Sequence, residues 1–221
     1  MRPRAELQCR GIPSEAVGQP WADKLCGVTT VDVWAARLQS VPGGGVCNRV
    51  ERDRAARFRD PAVGARWLAA HHLVRTLLAE RLGEDAAALE FSTGPHGKPS
   101  VRGIEFSLSH AGSIAVVAIS SCPVGVDVEV PRRIARPAGL ARRLGLAPDT
   151  PPPSLLRTWA RTEALLKATG DGASGGLSHA EQRLAPDGWR VSDLDLGSAA
   201  IGAVAARGQW AVQGPRWTCV T

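Results

Sequence analysis

No stretch of the 221 residues is long and apolar enough to cross a bilayer: runs such as Ile114 to Ile119 stop far short of the roughly 20 residues a membrane helix needs. The opening residues, Met1-Arg2-Pro3-Arg4-Ala5-Glu6, lead into no apolar core of a secretory leader. Both absences point to a cytoplasmic protein that does not associate with membranes. The five cysteines, Cys9, Cys26, Cys47, Cys122 and Cys219, are odd in number and scattered. No Cys-x-x-Cys pair and no His-x-x-x-His accompanies them, so a zinc site is excluded and the thiols read as reduced and structural. No repeat of 20 to 50 residues is present, and the one low-complexity patch, Gly43-Gly44-Gly45, follows Pro42 as a loop would. Lysine is scarce: Lys24, Lys98 and Lys167 are the only three among 27 basic residues.

What remains is an ordinary globular composition, 44% apolar and 22% charged, enough for one large domain or two small ones. The net charge of +6 and a pI near 9.6 suit an anionic partner: a nucleic acid, a nucleotide cofactor or an acidic protein. GC-rich coding by itself inflates arginine and alanine, so the few lysines carry more information than the many arginines.

Alternation predicts a strand from Val28 to Trp34, with a helix following through Leu38. Glu51 to Phe58 reads as a short basic helix stopped by Pro61. Gly64 to Leu82 reads as a longer one, with Trp67, Val74, Leu77, Leu78 and Leu82 at helical spacing and Gly83 as its C-cap. Ile104 to Leu108, Ile114 to Ile119 and Val124 to Val130 are short β-branched runs, read as three adjacent strands. Within Pro131 to Pro153 a helix is expected around Leu140 to Leu144. Ser154 is placed to cap another, from Leu155 to Thr169, which Gly170 ends. Trp189 to Leu194, Ala199 to Ala206 and Trp210 to Val220 read as strands and turns. The expected fold class is α+β, in two halves comprising residues 1–100 and 101–221.

The pattern Val124-Gly125-Val126-Asp127-Val128-Glu129-Val130 puts valines on one strand face and Asp127 with Glu129 on the other, about 7 Å apart. Nothing beside them in sequence neutralises the two like charges. They either share a divalent cation or form a solvated outer face. Trp159, Glu163 and Lys167 recur every four residues along the later helix. Glu163 can add a third carboxylate and Lys167 a cation for a phosphate oxygen, or the two form an ordinary surface pair. Pro99 stands after Gly97-Lys98 where a phosphate loop needs Ser or Thr, so that reading fails. Ser109 and His110 are consecutive strand residues on opposite faces, which argues against a nucleophile and base pair. His110, two residues before Gly112, is either an anion contact at a strand end or a satisfied turn histidine. Gly172-Ala173-Ser174-Gly175-Gly176 imitates a hydrolase elbow but follows a helix, the wrong context for one.

In order, Gly97-Lys98-Pro99, Phe106-Ser107-Leu108-Ser109-His110-Ala111-Gly112, Gly125-Val126-Asp127-Val128-Glu129 and Trp159 through Gly170 resemble the signatures of the 4′-phosphopantetheinyl transferases. Upstream, Arg54-Ala55-Ala56-Arg57-Phe58, Arg66 and the helix through Leu82 resemble the larger, surfactin-synthetase-activating type. The match is dense from Glu51 to Gly172.

The resemblance implies a pseudo-dimer of two similar α+β halves, monomeric as a chain, with coenzyme A in the cleft between them. The implied activity moves the phosphopantetheine arm of coenzyme A to a serine of an apo acyl or peptidyl carrier protein and releases adenosine 3′,5′-bisphosphate. It also implies Mg²⁺, with Mn²⁺ as the alternative, on Asp127, Glu129 and Glu163. Arg54 and Arg66 then lie by the 3′-phosphate, Lys98 and Pro99 by the adenine, and Ser109, His110 and Lys167 at the coenzyme A phosphates. The catalytic set is Glu163 as base with Lys167 and His110 neutralising phosphate charge. Thr162 stands where the family often has a lysine, and the loop Ala173 to Gly176 is longer than the pattern. A competing reading, a basic nucleic-acid-binding or metal-dependent phosphodiesterase domain, rests on the pI and the Arg132 to Arg143 segment. It leaves the aligned carboxylates repelling a phosphate backbone unless a metal intervenes.

Overall fold

Asp60, Pro61 and Gly83 delimit the central helix by local chemistry alone. Asp60 accepts the Ala62 amide at 2.8 Å, Pro61 occupies the first turn, and Gly83 takes the left-handed conformation (φ 69°) that closes it. The computed structural model describes residues 29–170 and 188–220, apart from 40, 42, 43, 95, 96 and 103. The helix, α2 (Pro61–Leu82), begins at Pro61 and not at the expected Gly64, since the proline expected to stop the preceding helix opens this one; it follows a short α1 (Arg49–Ala56). That helix starts two residues before the expected Glu51 because Asn48 and Glu51 form a reciprocal capping box, at 2.9 and 2.8 Å. A Cβ on Gly64 would collide with the Ala55 carbonyl, so the bare glycine lets the two helices touch backbone to side.

The strands are β1 (Thr29–Arg37), β2 (Ser92–Thr93), β3 (Pro99–Ser100), β4 (Glu105–Ala111), β5 (Ile114–Ser120), β6 (Val124–Glu129), β7 (Trp189–Leu194), β8 (Ile201–Arg207) and β9 (Trp210–Cys219). Two further helices are α3 (Pro137–Arg143) and α4 (Pro152–Thr169). Larger sheets have the orders β4-β5-β1-β9 and β6-β8-β7, and β2 pairs with β3. The first sheet thus draws β1 from one side of residue 100 and β4, β5 and β9 from the other.

Four layers result. α2 covers one face of the first sheet, burying Leu73, Leu77 and Leu78 against Trp34, Phe106 and Val117. The other face of that sheet packs Val31, Val33 and Val116 on Val124, Val126, Val128 and Val204 of the second. α4 covers the far side, with Ala160, Ala164 and Ala168 on Ala203 and Ala205. Arg157 and Arg161 of α4 hold Asp193 of β7 at 2.9 and 2.8 Å.

Several expectations need correcting. No helix follows Trp34; β1 continues to Arg37, because it is paired antiparallel with β5 and parallel with β9, and two ladders with burial on both faces override the local helical bias. The three adjacent strands prove to be a β4-β5 hairpin and a β6 that belongs to the other sheet. Ser154 does not cap α4, which begins at Pro152 with Pro151 at its cap and no side-chain cap bond. Cys219 is disulfide-bonded rather than reduced. Cys47 and Cys122 are free, and burial, seconded by Glu51, pushes the Cys47 thiol up to about 12. The hydrolase-like Gly172 to Gly176 segment, the loop Ala173 to Gly176, Val28, Lys24, Cys9 and Cys26 lie outside the described residues. No described helix is long and apolar enough to cross a membrane.

Candidate active site

β4 and β6 are edge strands of different sheets, and they meet through serine hydroxyls rather than a backbone ladder. Ser107 Oγ accepts the Val126 amide at 3.1 Å and Ser109 Oγ accepts the Val128 amide at 3.3 Å. Ser109 Oγ in turn donates to Asp127 Oδ1 at 2.8 Å. Gly125 shares the Asp127 face of β6. A Cβ there would strike the Ala164 carbonyl and the Ala168 amide, so α4 lies directly on the strand because this position has no side chain. That close approach delivers Lys167, whose ammonium donates to Asp127 Oδ1 at 2.6 Å and to the Val126 carbonyl at 3.3 Å. The charges of Asp127 and Glu129 are therefore balanced by residues remote or nearby in sequence: Lys167 for the first and Arg132, at 3.3 Å, for the second.

The valine alternation places the carboxylates as expected, and Glu163 comes within electrostatic reach of both. Burial pushes Glu129 above its ordinary value, Asp127 adds to the rise, and Arg132 with an indole hydrogen bond from Trp159 opposes it. Glu163 is likewise raised, by burial first and then by Asp127 and Glu129, against Lys167. Asp127 Oδ2 is buried and has no hydrogen-bond partner among the described residues. An orphaned carboxylate oxygen flanked by two more carboxylates that resist ionisation is a hard all-oxygen donor set, which fits a small divalent cation. Among the described residues no three such groups converge into a formed cluster in this arrangement, in which Lys167 donates to Asp127.

On the opposite side of β4, His110 lies half-buried and is lowered by burial, then by Lys167 and Arg66. Arg54, exposed at the end of α1, sits over the Trp67 ring at 5.3 Å, and His71 stacks on that ring at 3.6 Å between centroids. Arg54, Arg66 and Lys167 thus gather positive charge around His110 along one rim, beside the three carboxylates. Such a rim suits a polyphosphate.

The remaining expected residues have the following surroundings. Lys98 donates to Glu105 Oε2 at 3.1 Å and to the Val124 carbonyl at 3.2 Å, tying the strand-end loop to β6. Pro99 is exposed on β3, opposite Thr93. Ser109 is buried and serves as a support for Asp127. Thr162 is 1% exposed with an unpartnered hydroxyl, so it stands inside the helix packing and not on the charged rim. Sequence reading missed His71, the pairing of Arg132 with Glu129 and the role of Gly125. His71 carried a usable signal, four residues after Trp67 on the same helix, and so did Arg132, three residues after Glu129; Gly125 is defined by α4, remote in the chain.

No family model matches the chain. A phosphopantetheinyl transferase from Thraustochytrium sp. is 32% identical over 83% of this chain and 71% of its own length. The 4′-phosphopantetheinyl transferase psf-1 of Bacillus pumilus is 32% identical over 62% of this chain and 64% of the relative. A 4′-phosphopantetheinyl transferase of Bacillus subtilis is 28% identical over 62% of this chain and 66% of the relative. The matched region thus spans just under two thirds of the length of both Bacillus proteins.

Proposed function

This chain belongs to the phosphopantetheinyl transferases, and on that footing we propose that it transfers the phosphopantetheine arm of coenzyme A to a serine of an apo acyl or peptidyl carrier protein. The observation that carries the reading is the orphaned, buried Asp127 Oδ2 set among Glu129, Glu163 and Lys167, with the His110 and Arg66 rim beside it. In this reaction the serine oxygen forms a bond to the phosphorus that bears the pantetheine arm. The bond from that phosphorus to the bridging oxygen breaks, and adenosine 3′,5′-bisphosphate leaves with the electron pair.

Asp127, Glu129 and Glu163 are the residues to hold Mg²⁺, or Mn²⁺ in its place, which when bound neutralises charge on the pyrophosphate oxygens. Glu163, held above the ordinary carboxylate value, is suited to take the serine proton directly or through a water. Lys167 exchanges Asp127 for a phosphate oxygen and stabilises developing charge there, and His110 contributes from the β4 side. Arg54 and Arg66 serve the 3′-phosphate, and Lys98 with Pro99 the adenine side. Ser109 acts through Asp127. The arginine excess matches two anionic substrates. We further read the chain as a cytoplasmic monomer of two α+β halves, residues 1–100 and 101–221.

The test is direct. The protein is incubated with coenzyme A, Mg²⁺ and a panel of apo carrier proteins, and intact mass is measured. A phosphopantetheine adduct on the carrier serine is expected. No adduct on any carrier, with wild-type folding verified, overturns the reading.

A further inference from the structure

The stack of His71 on Trp67 is more than core packing, because of what surrounds it. His71 Nδ1 lies 2.9 Å from the Trp67 carbonyl one turn earlier. In the neutral ring Nδ1–H donates there, which leaves Nε2 as the atom able to gain a proton. An indole face at 3.6 Å between centroids stabilises an imidazolium better than a neutral ring. From α1, Glu51 and Arg54 act on this histidine, and from β4, His110 does. The one carboxylate among them is already committed, since Glu51 Oε2 accepts Arg75 Nε at 2.7 Å and the Asn48 amide at 2.8 Å. Arg54 and His110 oppose a charge on His71, and burial opposes it most. The ring is therefore neutral at rest, on a platform built to hold a cation, beside residues that gather positive charge. An arriving dianion reverses that balance.

We propose that His71 is the proton-taking member of the phosphate subsite, so that a terminal phosphate dianion settling among Arg54, Arg66 and His110 binds together with one proton, which is held at His71 Nε2. The inference rests on the coenzyme A reading and deepens it: His71 makes recognition of the 3′-phosphate proton-linked. The proton comes from solvent and no covalent bond changes. The sign follows. Protonated His71 favours the phosphate dianion, so above about pH 6, where the ligand is already dianionic, the preference for coenzyme A over dephospho-coenzyme A falls by up to about tenfold for each pH unit until the bound-state value of His71 is reached. Below about pH 6 protonation of the phosphate itself offsets the gain.

Calorimetry of the full chain with each ligand, near pH 7.5 in two buffers of different ionisation enthalpy, measures the protons taken up. At that pH a phosphate monoester is itself almost wholly dianionic. Wild type is expected to take up more protons with coenzyme A than with dephospho-coenzyme A, by up to about one per site. His71→Gln should abolish the difference and flatten the pH dependence of the coenzyme A Kd, leaving the dephospho-coenzyme A Kd within about twofold. His110→Gln should weaken coenzyme A binding while the uptake persists. Equal uptake with both ligands in wild type, or uptake that survives His71→Gln, overturns the proposal and makes His71 a packing residue. If His71→Gln does not fold, His110→Gln decides: uptake lost in that variant places the proton on His110 and overturns the proposal, whereas uptake that persists leaves it with His71. No coenzyme A binding by wild type would instead remove the functional reading beneath it.

Discussion

Replacing Gly125 with alanine adds one methyl group between β6 and α4, at the contact that brings Lys167 and Glu163 to Asp127. The new Cβ would overlap the Ala164 carbonyl and the Ala168 amide and sit 3.0 Å from Ala168 Cα, all of them backbone atoms that cannot rotate away. Carbon atoms rest at about 3.5 to 4.0 Å, so α4 has to withdraw by roughly 1 Å. Overpacking of this kind costs about 1 to 3 kcal/mol. For a chain of this size that lowers Tm by roughly 2 to 12 °C. The effect on turnover should exceed the effect on folding, since a misplacement of about 1 Å in a catalytic array costs up to 10²-fold. Thermal melting and the initial rate of carrier modification by mass spectrometry are measured together. Gly139→Ala in α3 is the control: the nearest atom to its new Cβ would be Arg136 Cβ at 3.8 Å, and its helical position gains from alanine. A Gly125→Ala protein that melts within about 1 °C of wild type and transfers at the same rate would show that α4 is not seated on the strand at this residue.

Asp127→Ala removes the acceptor shared by Ser109 and Lys167, and transfer should fall at least about 10²-fold with little recovery on added Mg²⁺, measured against chelator-treated wild type. Glu163→Gln should lower turnover by about 10² to 10⁴ while coenzyme A binding stays within about tenfold. The same variant bears on stability, because the folded-state value of Glu163 is raised and the fold disfavours its ionised form. That cost is absent below the ordinary carboxylate value of 4.5 and grows as pH rises through the shifted one, so in chelator-treated buffer Glu163→Gln should melt higher than wild type near pH 7 and equally near pH 4. Arg66→Ala should weaken coenzyme A binding more than dephospho-coenzyme A binding; an equal loss with both places this arginine away from the 3′-phosphate. Arg142 and Arg143 are exposed on α3, just downstream of the carboxylate strand, and replacing both with alanine should raise the carrier KM and flatten its salt dependence while the coenzyme A KM stays unchanged. An unmoved carrier KM removes the segment from the docking surface.

Much of this molecule was legible in one dimension, wherever a local rule decided the outcome. Gly83 ends α2 with chemistry it carries itself, although the Asp60 cap that starts the helix at Pro61 went unread. The period-two valines of β6 already place Asp127 and Glu129 on the face away from the apolar core, and the four-residue spacing of Trp159, Glu163 and Lys167 aligns them on α4. What could not be read there depends on partners far along the chain. β1 runs on to Arg37 because β5 and β9 flank it, and no local propensity encodes a neighbour 180 residues away. Lys167 neutralises Asp127, 40 residues distant, because Gly125 is bare where α4 presses closest. Ser107 and Ser109 bridge two sheets that alternation alone would have merged into one. His71 acquires its surroundings only when α1 and β4 close around α2. Periodicity sets which face a side chain occupies; what that face meets is settled by packing, which joins residues whose order in the chain holds no trace of their contact.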